Sequence, residues 1–351
     1  MTNKYKANKG EWSEPYTFLK LISDEKIKLC DKNLNSINKE FNVLKVSNMN
    51  IHKELNIPID KGKITQNDID KLREEILNGE KNFEIEFAEN LFKEINVDLG
   101  KGGNAKQKSD ILISLSNESF KNELVGFSIK SFLGKVPTLL NASKKTNFIY
   151  EILDFNEKDL KEINNLNTKD KIRKRLETIK DKGYTINFVK VEDETFQHNL
   201  NKVSLDMDEI LSSCLLNSYL EVDSKKRISN LYKIFKKDKN DDDSYFDIEN
   251  NKIKRLLISS MLGFFPGSIW NGDFAAKGSI IVKDDGSLVM FHIKENLEDL
   301  KNFLFENIKF DTPSTSRYKQ GLIYKSANNS YYIKLNLQLR FIQRKISSSR
   351  R

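Results

Sequence analysis

Residues 109–132 read "SDILISLSNESFKNELVGFSIKSF". Within it, 109–116 is a first strand candidate and 123–132 a second run that alternates apolar and polar residues, with a polar turn at 117–122 between them. A period of two predicts a pair of adjacent strands, each turning one face toward a core. On the second run Phe127 and Ile129 point one way, Ser128 and Lys130 the other. Asp110 opens the first run, and Ser128 follows it by 18 residues (128 − 110). The pleat therefore aims a carboxylate and an ammonium group into one cleft. A lysine on an outer strand face is also ordinary solvated surface, so the surrounding text has to decide between the two.

Upstream, "EWSEPYTFLKLISDEKI" (11–27) repeats Phe18, Leu19 and Ile22 at helical spacing. "NDIDKLREEIL" (67–77) opens on an Asn or Asp cap and predicts a second helix. After a break at Gly79, Phe83, Phe87, Leu91 and Ile95 predict a third over 83–96. A Gly-rich basic loop, "LGKGGNAKQK" (99–108), leads into Asp110. Downstream the pattern predicts a strand at 148–153, a charged helical stretch over 157–182 and a strand at 184–191. An apolar helix at 207–222 follows, then an exposed loop at "KKDKNDDDSYFD" (236–247) and a buried helix at 253–264. "GSIIVKDDGSLVMFHI" (278–293) carries Asp285-Gly286, a favoured two-residue hairpin turn. "YYIKLNLQLRF" (331–341) alternates as one last strand. Helices come first and strands cluster in short meanders. This order predicts a mixed α/β (α+β) architecture without the regular alternation of a doubly wound fold.

Composition narrows the class. The 351 residues suffice for one large or two smaller domains with a sizeable core. With 38% hydrophobic and 31% charged residues the chain reads as soluble and globular. No apolar run reaches membrane-spanning length, and no apolar signal core opens the chain, so a cytoplasmic location is expected. Cys30 and Cys214 form neither a disulfide framework nor a zinc cluster, and His52, His198 and His292 are too scattered for a His-based metal site. The acidic run at 238–243 lacks the glycine and terminal Glu of a calcium loop and reads as solvated surface. The formal charge of +8 favours a polyanionic partner, although a Lys- and Asn-rich composition alone would give a similar excess.

An Asp at the start of one strand and an x-Lys pair on the next suit a particular chemistry. A phosphodiester is anionic and resists attack by water. Cutting it calls for a divalent cation held by carboxylates and a lysine beside the attacking water. Asp110 and Lys130 are the candidates, with the Ile129 backbone carbonyl as a further oxygen ligand.

The layout resembles the PD-(D/E)xK nuclease superfamily, with Ser109 where a Pro often stands and Ser128 in place of the second acid. The strings "NKGEWSEPYTFLKL", "SDILI", "VGFSIKSFLGKVPTLLNASKKTNFIYEI" and "FDTPSTSRYKQG…YYIKLNLQLRFI", in that order, resemble the HpaII-like type II restriction endonucleases from about residue 9 to 342. The resemblance implies a mixed central sheet flanked by helices, with a helical and β-meander region for DNA recognition. It divides the chain into a nuclease core at 1–155 and a second region at 156–351. It also implies Mg²⁺-dependent cleavage of both strands of duplex DNA at a short palindrome, CCGG for the class. A homodimer on DNA and a cognate DNA methyltransferase go with that, and no membrane. Ser128 belongs to the family's own text and is kept with Asp110 and Lys130 in the catalytic set. A lone Asp holds a hard cation poorly. Glu14 is the leading second acid, because an N-terminal helix carrying a Glu beside the catalytic sheet recurs in the superfamily. Glu11, Glu86, Glu89 and Glu151 stay open as rivals.

Three polar loops are candidates for DNA contact. The first offers Lys106 and Lys108, the second Asn141, Ser143, Lys144, Lys145 and Asn147, and the third Ser314, Thr315, Ser316, Arg317 and Lys319. Arg317 is the candidate for guanine O6 and N7. Two other functions stay open on the residues alone: a non-catalytic DNA-binding protein with a degenerate nuclease fold, and a structure-specific repair nuclease.

Overall fold

The computed structural model describes residues 4–48, 54–59, 64–97, 99, 108–116, 123–238, 244–315, 318 and 320–343. In chain order the elements begin with α1 (Lys9–Asp24), β1 (Lys26–Cys30), β2 (Ser36–Asn48), β3 (Leu55–Asn56), α2 (Gln66–Asn78) and α3 (Glu86–Glu94). Next come β4 (Ile111–Leu115), β5 (Val125–Ser131), β6 (Thr138–Leu140) and β7 (Asn147–Leu153). They are followed by α4 (Glu157–Asn164), α5 (Lys171–Asp181), β8 (Thr185–Val191), α6 (Glu194–Val203), α7 (Met207–Leu220), α8 (Ile228–Asp238) and α9 (Ser244–Leu262). The last are β9 (Gly278–Val282), β10 (Leu288–His292), α10 (Leu297–Asn307), β11 (Ile308–Phe310), β12 (Ile323–Lys325), β13 (Tyr331–Asn336) and β14 (Leu339–Phe341).

Two compact units share this chain. The first takes residues 1–137, 261–263 and 273–303. Its sheet is mixed, ordered β1-β10-β9-β5-β4-β2-β3, with a further β1–β2 pairing. That pairing closes a circuit of six strands. β2 makes closure possible because it is 13 residues long and pairs over 36–42 with β1 and over 43–48 with β4. A register shift between Val43 and Lys45 bends it between those two tasks. β9 enters parallel to β5, and β10 runs parallel to β1. The hairpin read at 278–293 is thus inserted between strands that precede it by about 150 and 260 residues.

α1 begins at a capping box. The Asn8 side chain accepts from the N–H groups of Gly10 (2.9 Å) and Glu11 (3.2 Å), and the Glu11 carboxylate accepts from Asn8 N–H (2.8 Å). Pro15 cannot donate to the Glu11 carbonyl, which accepts the Tyr5 hydroxyl at 3.5 Å instead. Trp12, Tyr16, Phe18, Leu19 and Ile22 enter the core together with Ile111, Ile113, Phe127 and Ile129 from β4 and β5. Trp12 is fully buried, its indole N–H on the Phe83 carbonyl (3.1 Å), as suits an anchoring residue.

His292, at the end of β10, is buried against Phe127 with ring centroids 5.8 Å apart. Its Nδ1 accepts from Lys294 N–H. Burial pushes the imidazole down from 6.5 to about 4; Glu295 opposes the shift, and Lys294, Lys277 and Lys39 add to it. The folded value lies below the unfolded one, so stability is full above pH 6.5 and falls as pH drops toward 4, by about 1.4 kcal/mol per unit. Urea unfolding midpoints across this window should fall less steeply for His292→Asn than for the unsubstituted protein. Equal slopes would remove His292 as the cause.

The second unit takes residues 138–260, 264–272 and 304–351. It holds two antiparallel sheets, β12-β13-β7-β8 and β11-β14-β6. The stretch read as one strand at 331–341 breaks at Leu337-Gln338 and supplies β13 to one sheet and β14 to the other. The expected loop at 236–247 is shorter than its composition suggests, because α8 runs to Asp238 and α9 starts at Ser244. Among the described residues no helix is long and apolar enough to cross a membrane.

Candidate active site

β4 starts at Ile111, and its ladder with β5 covers only Val125 to Phe127. Just before the ladder, Asp110 donates its N–H to the Phe127 carbonyl (2.8 Å), and its Oδ2 accepts the Ile129 N–H (2.6 Å). The carboxylate thus takes the place that a continuing strand's carbonyl would fill. N–H and C=O of one strand residue point to the same side, so the Ile129 carbonyl also faces Asp110. The other side of β5 is held by β9, with Ser128 across from Ser279 and Lys130 across from Ile281. Two ladders therefore fix the backbone between acid and ammonium group. Ser128 and Lys130 share a face by the pleat. Ser128 is buried, and its hydroxyl finds no hydrogen-bond partner among the described residues.

α1 brings Glu14 to this corner. Burial and the Asp110 carboxylate raise Glu14 from 4.5 to about 8, with Lys130 pulling it down and Glu11 adding to the rise. Asp110 is itself raised by burial, against Lys130, the Ile129 N–H and Lys108. The Asp110 charge thus raises the proton affinity of Glu14, and a carboxylate pair in a partly buried space favours a cation between them. The rivals of Glu14 are engaged elsewhere or stand apart. Glu11 closes the α1 capping box, and Glu89 accepts from Tyr5 N–H at 2.9 Å. Glu86 is exposed in the first turn of α3, and Glu151 lies on β7, between Tyr332 of β13 and Asn187 of β8.

Lys108 joins the cluster. The sequence reading set it on a phosphate-contacting loop; the structure puts it within reach of the fields of Asp110 and Lys130. Burial and then Lys130 lower it from 10.5 to about 7, against Asp110. Its spacing of two residues from Asp110 was the available signal. Among the described residues no group of three or more His, Cys, Asp or Glu side chains gathers as a metal cage. The donors at hand are hard oxygens: two carboxylates and a backbone carbonyl. That set fits Mg²⁺, which keeps several waters and takes one or two protein carboxylates plus phosphate oxygens.

The other expected contact residues lie in the second unit or outside the described residues. Asn141 and Lys144 are exposed, and Lys145 forms an ion pair with Asp193 (2.6 Å). The Ser143 side chain caps the short turn that follows it, accepting from Lys145 N–H. Asn147 is buried, not on the loop surface. Its amide donates to Glu192 (2.7 Å) and the Tyr318 carbonyl (3.5 Å) and accepts from Asn336 (2.6 Å), which leaves no edge turned to solvent. Ser314 is exposed and Thr315 half-buried. Lys106, Ser316, Arg317 and Lys319 fall outside the described residues.

Comparison with known proteins assigns the chain to a family. The family model described as HpaII restriction endonuclease matches residues 8–341. A curated relative from Haemophilus parainfluenzae, "Type II restriction enzyme HpaII", is 32% identical over 370 aligned residues, covering 97% of this chain and 100% of the relative. No solved structure matches. The match spans both units, from the α1 cap at Asn8 to the end of β14, and so takes in Glu14, Asp110 and Lys130 together. The chain belongs to the HpaII restriction endonuclease family, a type II, site-specific deoxyribonuclease.

Proposed function

We propose that this endonuclease hydrolyses both strands of duplex DNA at a short palindrome, CCGG by resemblance to its family, using Mg²⁺ and the cluster at the start of β4. The observation that carries the reading is the Asp110 carboxylate, pinned to the Ile129 N–H at 2.6 Å with Glu14 and Lys130 in its field. Asp110, Glu14 and the Ile129 carbonyl would hold the cation. When bound, it would supply charge neutralisation at the phosphate and a more acidic water. Lys130 orients the attacking water and donates to charge developing on the phosphate oxygens. Lys108, lowered to about 7, adds a group beside Asp110 that can carry or give up a proton. Ser128 offers a neutral donor where superfamily members carry an acid, and Glu14, once a cation displaces its proton, would supply the negative charge which that position lacks.

Asn141, Ser143, Lys144, Ser314 and Thr315 contribute contacts to DNA in this reading. A palindromic target matches a two-fold homodimer, and a methyltransferase would protect the host's own sites in the same cytoplasm. Digestion of a plasmid of known sequence, with and without Mg²⁺, followed by sequencing of fragment ends, tests the proposal. Discrete fragments ending at one palindrome, abolished by EDTA, are expected. Cleavage at unrelated sequences would overturn the specificity, and cleavage in EDTA the metal requirement.

A further inference from the structure

The loop at 141–147 and the described part of the loop expected at 312–319 hang from one short spine at 334–340. The Asn336 amide donates to the Ser143 carbonyl (2.6 Å) and the Asn147 side chain (2.6 Å), and it accepts from the Thr146 hydroxyl (3.3 Å). The Asn336 N–H donates to the Gln320 side chain (3.1 Å), which in turn donates to the carbonyls of Pro313 (3.2 Å) and Ser314 (3.3 Å). Tyr219 donates to both Gln320 (2.6 Å) and the Asn336 carbonyl (3.0 Å). Backbone bonds finish the frame: Leu337 to Thr146, Asp311 to Gln338 and Gly321 to Lys334. Asn147, Gln320 and Asn336 are all buried.

We propose that Asn336 and Gln320, which are buried, are positioning residues that lock the loop at 141–147 and residues 311–315 into a single edge for reading base pairs of duplex DNA. The inference rests on the function proposed above. Base readout requires donors and acceptors held to a fraction of an ångström, and a loop pair that shared no support would lose that precision to its own freedom. Saturated buried amides supply the support, since any shift of either loop strands a polar group without water. The exposed side chains on this edge include Asn141, Thr312 and Ser314, neutral hydrogen-bonding groups that suit base edges, beside Lys144, which suits a phosphate, and Lys145, which is paired with Asp193.

The test compares full-length protein with Asn336→Ala and Tyr219→Phe. In Ca²⁺ buffer, dissociation constants are measured for a duplex carrying the site the unsubstituted enzyme cuts and for the same duplex with one base pair changed. Asn336→Ala should reduce the ratio of the two constants about 10-fold, and Tyr219→Phe about threefold, with binding of random-sequence duplex and its salt dependence unchanged. A purely architectural role would lower the melting temperature and leave the ratio intact in folded protein; that result overturns the inference. If Asn336→Ala does not fold, Tyr219→Phe, which removes one hydroxyl, decides alone. Should the unsubstituted protein itself fail to discriminate, the function proposed above falls, and this inference with it. Loss of discrimination in the variants alone supports both.

Discussion

Asp110→Ala is expected to slow plasmid cleavage by roughly 10³-fold while leaving DNA binding in place. The carboxylate is the best-fixed oxygen donor of the cluster, held by the Ile129 N–H on one strand and by its own N–H to Phe127. Its removal leaves Glu14 as the one carboxylate, with the Ile129 carbonyl, to hold a divalent cation. It also removes a negative charge from the path of the phosphate, so affinity in metal-free buffer should stay level or rise. Single-turnover cleavage and gel retardation measured on the same preparation separate the two effects. Lys130→Ala should give a loss of comparable size. Undiminished cutting by either variant would remove this cluster from the chemistry.

The second large effect is expected at Glu14. Glu14→Gln keeps the shape of the side chain and the packing of α1 but discards the charge. It should cost about 10²-fold in rate at a fixed Mg²⁺ concentration and raise the concentration needed for half-maximal activity. The rivals serve as controls. Glu86→Gln and Glu151→Gln should cut at the unsubstituted rate. Glu11→Ala should lose about 1 kcal/mol of stability through the capping box, with activity per folded molecule retained. A normal rate in Glu14→Gln, or a collapse in one of the controls, would assign the second acid elsewhere.

The strand pair at 109–132 was legible because its second half alternates and its first is a short, largely apolar run, Ile111–Leu115, each bounded by polar residues. Glu14 was not legible from spacing. Which helix residue meets a sheet is a tertiary fact, and only resemblance pointed there. β2 escaped notice altogether: its first half is exposed and charged, and the register shift near Leu44 breaks the period that would have marked it. The Asp-Gly turn announced the β9–β10 hairpin, yet nothing local tells a strand that its parallel partner lies 150 residues earlier. Asn147 misled for a related reason. An asparagine in a polar loop reads as solvent-facing, and the partners that bury it, Glu192 and Asn336, are 45 and 189 residues away.

The closed circuit of strands in the first unit bears on how a pair of molecules could assemble. Every one of its six members already has a neighbour on either flank, and β3, appended to β2, is two residues long. Among the described residues, strand addition therefore finds only short edges there, such as the outer flank of β3. A second copy recruited to sever the opposite DNA strand would then dock chiefly through helices, loops or side chains. Such a junction can be tuned residue by residue without disturbing the ladders that hold Asp110 and Lys130.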